Sequence, residues 1–480
     1  MQPIRISIFH TNDMHGHLEA MPKLSHFARR LRAEAEAQGR LAFFWDGGDA
    51  EDRRVRACSV SKGVSFQPIM NAMGYTLAVV GNSISLPYGP QAMAPVAARA
   101  RFPILGANLR DGDGPLTPGL RTHSFVPLPG GLRMGVVGLT APWGNFYEMF
   151  GLHLPDFITV ARDWVAALRK EGAAPIAILS HMGLREDKQM ADAVPGIDFI
   201  IGGHSHVLLP EGEVVNGVLI AQAGSYAEHL GRLDLTLDAA SGAVLECSAR
   251  ALPVPANEPP DPAVLEAMAA AERETEGLLA RVIGTLQGPM SLDHFGECGI
   301  GSLAADAVRE RMNGEIAIVA SGMFHKPLPG GTVTLGMLDA ASFSSANPGV
   351  TLVTGREILA ALEKGLDPAF TEQTPKAFRG TPIGMPQISG MIVEYDPERA
   401  VGQRVACVLV QGAPLEPERA YRLAHTDAEV AEKIGYMALA EGQSAQYEVP
   451  TILREVMEDY IQRRSPVPMP DGGRWVRVQE

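Results

Sequence analysis

Five short apolar runs in the first half of the chain each lead into residues able to bind a metal ion. Residues 4–9 lead to Asn12-Asp13-Met14-His15, residues 41–45 to Gly47-Gly48-Asp49, and residues 77–80 to Gly81-Asn82. Residues 176–179 lead to Ser180-His181, and residues 199–201 to Gly202-Gly203-His204-Ser205-His206. Ligands of α/β sheets collect beyond the carboxyl ends of the strands, so these five loops are expected to converge. They would gather two carboxylates (Asp13, Asp49), one amide (Asn82) and four imidazoles (His15, His181, His204, His206). Seven N/O donors with no thiolate exceed what one tetrahedral ion takes. Imidazole mixed with carboxylate suits Mn, Fe, Co, Ni or Zn. The expectation is two adjacent divalent ions sharing a carboxylate, the apparatus by which metal-bound hydroxide attacks phosphorus.

The elements that must position these loops are legible as a pattern. Apolar runs at residues 103–105 and 134–139 complete a series of strands. Leu24, Phe27 and Leu31, and later Trp164, Ala167 and Leu168, recur at helical spacing. Strands alternating with helices predict an α/β fold. Residues 232–238 alternate polar and apolar, as a half-buried strand does. Residues 251–262 are dense in proline and mark the expected domain boundary. Residues 264–282 read as one helix. Helical stretches at 300–312 and 357–364, with strand-like runs at 316–319, 351–353 and 405–409, predict a second α/β domain. The expected division is therefore a first domain over residues 1–250, a linker and helix over 251–282, and a second domain over 283–480.

The 480 residues are 46% hydrophobic and 20% charged, ordinary for a globular protein able to bury a core unaided. The 41 Lys and Arg against 55 Asp and Glu leave a net charge of −14. That balance argues against a nucleic-acid polymer or an anionic membrane as partner, since phosphate contacts need clustered cations. A small phosphorylated substrate stays open, because a local metal ion outweighs the global field. No run approaches the roughly 18 apolar residues of a membrane span. Residues 4–9 are too short for a signal-peptide core, so no leader is expected. Cys58, Cys247, Cys298 and Cys407 are scattered, which predicts free thiols and a cytoplasmic location.

Thr11-Asn12-Asp13-Met14-His15-Gly16, Asp46-Gly47-Gly48-Asp49, Gly81-Asn82, Ser180-His181 and Gly203-His204-Ser205-His206 together resemble the signature blocks of the calcineurin-like metallophosphoesterases. More narrowly, the chain resembles the 5'-nucleotidase / UDP-sugar hydrolase family. Ala223-Gly224-Ser225-Tyr226 with Leu230-Gly231-Arg232-Leu233 resembles a further block of its first domain. Glu297-Cys298-Gly299-Ile300-Gly301, Ala305-Asp306-Ala307 and Thr354-Gly355-Arg356-Glu357 resemble blocks of its second. The resemblance implies a four-layer αββα sandwich followed by an α/β substrate-binding domain. It implies two divalent ions, with Asp13, His15 and His206 on one, Asn82, His181 and His204 on the other, and Asp49 bridging. It implies a phosphohydrolase acting on nucleotides or related esters and anhydrides, with Asp49 and Asn82 at the reaction centre.

Two departures qualify that expectation. Where the family reads Gly-Asn-His-Glu, this chain reads Gly81-Asn82-Ser83-Ile84, without the histidine that contacts the phosphoryl group and assists the leaving group. An Asn-Gly-Gly-(x)-(x)-Arg block falls near Ala320-Ser321-Gly322-Met323-Phe324-His325, with His325 in place of Arg. Phe324, His325, Phe378 and Tyr436 are the expected substrate contacts. Phe343 is a further ring able to stack on a base, although core packing is the commoner role of such aromatics. His17 lies two residues from His15 and within reach of the site. Arg53, Arg54 and Arg56 follow Asp49 closely enough to clamp an anion. The alternative function is a metal-binding pseudoenzyme or ligand-binding protein, or a hydrolase of another class such as sulfur oxyanion esters.

Overall fold

The computed structural model describes residues 2–111, 114–439, 443–470 and 472–478. The chain forms two compact units, residues 1–275 and 276–480. Among the described residues no helix is long and apolar enough to cross a membrane.

The first unit is built on two six-stranded sheets. In one, Ile4–Thr11 lies parallel to Leu41–Asp46, which continues in parallel to Leu77–Val79 and Ile104–Leu105. On its other side Ile4–Thr11 pairs antiparallel with His229–Leu237, and that strand with Val244–Pro253. In the second sheet, Ile176–Ser180 is parallel to Arg133–Leu139 and to Phe199–Ile201. Phe199–Ile201 is in turn parallel to Val218–Ala221.

Side-chain alternation explains how these strands are stacked. Ile4, Ile6 and Ile8 point into a core shared with Ala177, Leu179, Phe199 and Ile201 of the other sheet. Phe9 and Phe44 point the opposite way, onto Met21, Leu24 and Phe27 of the helix Met21–Ala37. Ile176, Ile178 and Ile200 meet Val160, Val165 and Leu168 of the helix Phe157–Lys170. The order is helix, sheet, sheet, helix. Burial on both faces is why the central strands read as continuous apolar runs. Each Ile or Leu so buried contributes about 1.5–3 kcal/mol.

The proline-rich stretch is not a free linker. Val244–Pro253 is a sheet strand running past residue 250. The carboxylate of Asp261 accepts from Ser25 Oγ at 2.8 Å and from Arg29, and Glu258 meets His26 Nδ1 at 2.7 Å. Val264 and Ala271, on the helix Pro262–Leu279, join the core around Met21 and Leu24. The first unit therefore keeps most of that helix. The helix also stops before residue 282, because Val282 opens the strand Val282–Leu286, which pairs with Gly331–Thr334.

The second unit contains a five-stranded sheet in the order Pro386–Ser389, Ile316–Ala320, Ala420–Thr426, Pro348–Thr354, Gln446–Tyr447. The helix Gly299–Arg311 buries Ile300, Leu303, Ala304 and Val308. Thr354 opens the helix Gly355–Gly365 with a reciprocal cap to Glu357.

Candidate metal centre

The two sheets bring all five loops to the carboxyl ends of parallel strands. The register sets Thr11 opposite Asp46, so Asp13 and the Gly47-Gly48-Asp49 turn leave the sheet at one level. Asp13 N donates to Gly48 O at 2.9 Å and His15 N to Asp49 O at 2.9 Å, which laces these two loops together. The second sheet joins through His204 N, which donates to the Asp13 carboxylate at 2.8 Å.

Two groups of donors result. Asp13, His15 and His206 form one and Asp13, Asp49 and His181 the other, each with ligand atoms within 4.8 Å of one another. His15 Nε2 and His206 Nε2 are 3.1 Å apart. Asp49 Oδ2 lies 3.3 Å from His181 Nε2 and 3.9 Å from His15 Nε2, so one carboxylate reaches both imidazole sets. Asn82 and His204 stand beside these groups. Asn82 begins the helix Asn82–Ser85, whose Ser83 N–H donates to Asp49 Oδ1 at 2.8 Å. The His204 ring centroid is 5.2 Å from that of His181.

The local chemistry fits cations. His181 Nδ1 faces Gly47 O at 2.7 Å; a carbonyl only accepts, so Nδ1 carries a proton in either charge state, and Nε2 is the atom that offers a lone pair once its own proton has left. Nε2 is buried without a hydrogen-bond partner, and so is Asn82 Oδ1. Orphaned polar atoms of this kind are costly to bury. The backbone carries strain at the same places. Asp13, His15, Asp49, His204 and His206 all have φ between 45° and 73°. Non-glycine residues in that region cost about 1–3 kcal/mol each and cluster at functional sites. Gly48, at φ +93°, turns where a Cβ would lie 2.5 Å from His181 Nδ1. A Cβ on Gly81 would lie 1.9 Å from Asp49 Oδ1, which makes glycine necessary there.

Electrostatics couples the central pair. Burial alone raises Asp49, but the charge of His181 at 3.3 Å and the Ser83 N–H hold the carboxyl below its ordinary range. Burial disfavours charge on His181, yet Asp49 and Asp13 outweigh it and carry the imidazole up to about 10. Burial and the His181 charge push His204 down to about 4.

Several supporting groups were not visible in the sequence. Asp52 Oδ2 lies 3.4 Å from His15 Nδ1 and thereby orients that ring. Asp187 accepts from Ser180 Oγ at 2.5 Å, and burial raises it to about 7. Asp46 accepts from Thr11 Oγ1 and Gly48 N, which shapes the glycine turn, and burial raises it to about 8. Asp52 and Asp187 carry no motif, and only the folded loops bring them close; Asp46 stands in the Asp46-Gly47-Gly48-Asp49 block, which does not by itself show its turn-shaping contacts. His17 stacks on Tyr226 at 4.5 Å between centroids, and Tyr226 is 5.5 Å from His206. Arg54 pairs with Asp52.

The expected substrate contacts in the second unit fare differently. Phe324, Phe378 and Tyr436 are buried, and the Tyr436 hydroxyl donates to Gly384 O. These three rings are packed in the interior. His325 is partly open, 5.1 Å from the ring of Phe343, over which Arg379 sits at 5.7 Å. Phe343 is the exposed aromatic of this cluster.

Residues 6–208 match the calcineurin-like phosphoesterase family, and residues 282–441 match the 5'-nucleotidase C-terminal domain. The chain belongs to the 5'-nucleotidase family. It is 26% identical to the uncharacterized metallophosphoesterase YunD of Bacillus subtilis (strain 168), covering 94% of this chain and 98% of that protein. It is 25% identical to a snake venom 5'-nucleotidase of Naja atra, covering 96% of each. The fold matches the NAD nucleotidase (NadN) of Haemophilus influenzae with a TM-score of 0.61 at 16% identity over the full length of both chains. This 5'-nucleotidase family member is a metal-dependent hydrolase of phosphate esters.

Metal ligands must be deprotonated, and His181 holds its proton up to about 10 in the metal-free protein. Metal uptake on His181 would therefore release a proton, and affinity would rise with pH by about tenfold per unit between pH 6 and 9 for one displaced proton. Calorimetric titration of Mn²⁺ or Zn²⁺ into the metal-free protein, in buffers of different ionisation enthalpy, checks this. A pH-independent affinity without proton release would contradict it.

Proposed function

We propose that this chain is a two-metal phosphohydrolase acting on nucleotides or related phosphate esters and anhydrides in the cytoplasm. Asp13, His15 and His206 would hold one divalent ion, Asn82, His181 and His204 the other, and Asp49 would bridge them. The carrying observation is Asp49 Oδ2, buried within reach of both His181 and His15, beside the partnerless His181 Nε2 and Asn82 Oδ1. Four unpaired cysteines support a reducing compartment. The family's small nucleotide substrates support the substrate class.

When bound, two such ions supply an acidified water and positive charge for the phosphoryl oxygens. The chain supplies their placement. Gly47 O fixes the His181 tautomer, Ser83 N–H holds Asp49, and His204 N–H with Asn12 Nδ2 holds Asp13. These groups preorganise the site before substrate arrives. Position 83 carries a hydroxyl in place of an imidazole, and that hydroxyl is buried without a partner. A general acid contributes about 10²–10⁴ in rate, and its value grows with the basicity of the leaving group. The site therefore favours phosphoanhydrides and activated aryl esters over nucleoside monophosphates.

Two variants test this reading. Metal-loaded wild type hydrolyses p-nitrophenyl phosphate, and Asp49→Asn lowers kcat by at least about 10²-fold with loss of metal by elemental analysis. Full metal retention and full activity in Asp49→Asn would remove Asp49 from the centre. Ser83→His raises the rate on a nucleoside monophosphate by about tenfold or more relative to that on p-nitrophenyl phosphate. No change in that ratio would show that another group already supplies the proton.

A further inference from the structure

A sixth loop reaches the same end of the first unit. It follows Arg133–Leu139, the strand parallel to Ile176–Ser180, and carries none of the metal-ligand pattern. It is pinned at two points. Thr140 N donates to Asn108 Oδ1 at 2.8 Å, and Asn108 Nδ2 donates to Thr140 O at 3.0 Å. Tyr147 is fully buried, with its hydroxyl 2.8 Å from Ser85 Oγ. Ser85 Oγ in turn donates to Gly81 O, in the turn that presents Asn82. The loop is thus tied to the site itself.

Between these pins the loop holds large apolar rings in the open. Trp143 is 40% exposed and Phe146 58%. The Trp143 ring centroid lies 4.8 Å from that of His204 at 72°, and 6.0 Å from Phe146. The other flank of the centre is polar, with the Tyr226 hydroxyl ring beside His206 and His17 stacked on it. An exposed aromatic pair on a fixed backbone, touching a residue of the reaction centre, is a recognition surface for apolar, planar groups.

We propose that Trp143, backed by Phe146, is the specificity-determining wall for a planar, apolar leaving group, an aryl or similarly conjugated oxide, on the ester cleaved at this centre. The assignment rests on the phosphohydrolase reading above. It has further support at position 83, where a serine hydroxyl is too weak an acid to protonate a departing oxygen. Conjugated oxides are weakly basic and planar, so the leaving group that least needs the missing acid is also the one that stacks on an indole. The wall belongs to the first unit.

The test compares kcat/KM for phenyl phosphate and methyl phosphate in metal-loaded wild type, Trp143→Ala, Trp143→Leu and Trp143→Phe, with metal content measured on each preparation. Loss of ring stacking lowers the phenyl-to-methyl ratio about two- to tenfold in the Ala and Leu variants, and Trp143→Phe retains most of it. If Trp143→Ala loses metal, the Leu and Phe variants decide. An unchanged ratio in all three variants, or equal losses on both esters, would overturn the assignment and leave Trp143 a support for His204. A metal-loaded wild type that cleaves neither ester would overturn the phosphohydrolase reading and the leaving-group wall with it.

Discussion

The carboxylate of Asp13 is the interaction on which the site depends. It accepts from His204 N, at the end of a strand in one sheet, while its own N–H and C=O bind Gly48 O and Tyr226 N. Asp13 itself leaves the other sheet. One side chain therefore ties the two sheets together at the point where the imidazoles meet, alongside the bond from His181 Nδ1 to Gly47 O. The inter-sheet core of Ile6, Ile8, Leu179 and Ile201 sets the approach of the layers, and Asp13 sets their final register.

The left-handed backbone at five of the seven donors follows from that constraint. Short loops that must turn donors inward from parallel strands have few conformations available, and the strained one is held by neighbouring hydrogen bonds. A cation held by the proposed donors would offset the free energy stored there. Stability of the first unit and metal affinity are therefore linked quantities: ions that bind only the folded loops stabilise them by mass action.

The strands, and the loop positions of the seven candidate donors, were legible in the sequence because both are local signals. An apolar run followed by Gly-Asp or Gly-Gly-His carries its meaning within a few residues. The supporting groups were not legible, because Asp52, Asp187 and Trp143 matter only through contacts that folding creates. Trp143 follows a strand like the others, but no metal-capable residue marks its loop. In the second unit the motif-based choice of Phe324, Phe378 and Tyr436 met buried positions, while Phe343 stayed open. An aromatic residue looks the same in sequence whether it packs a core or faces a ligand. The proline-rich stretch misled for a related reason: Glu258 and Asp261 find partners on the helix Met21–Ala37, and composition alone does not show them.

The central claim is that one carboxylate serves two ions. Anomalous diffraction from crystals of the metal-loaded protein measures this directly. Two peaks are expected about 3.5–4 Å apart, one on Asp13, His15 and His206 and one on Asn82, His181 and His204, with Asp49 in contact with both. A single peak, or two peaks with Asp49 outside their coordination, would contradict it.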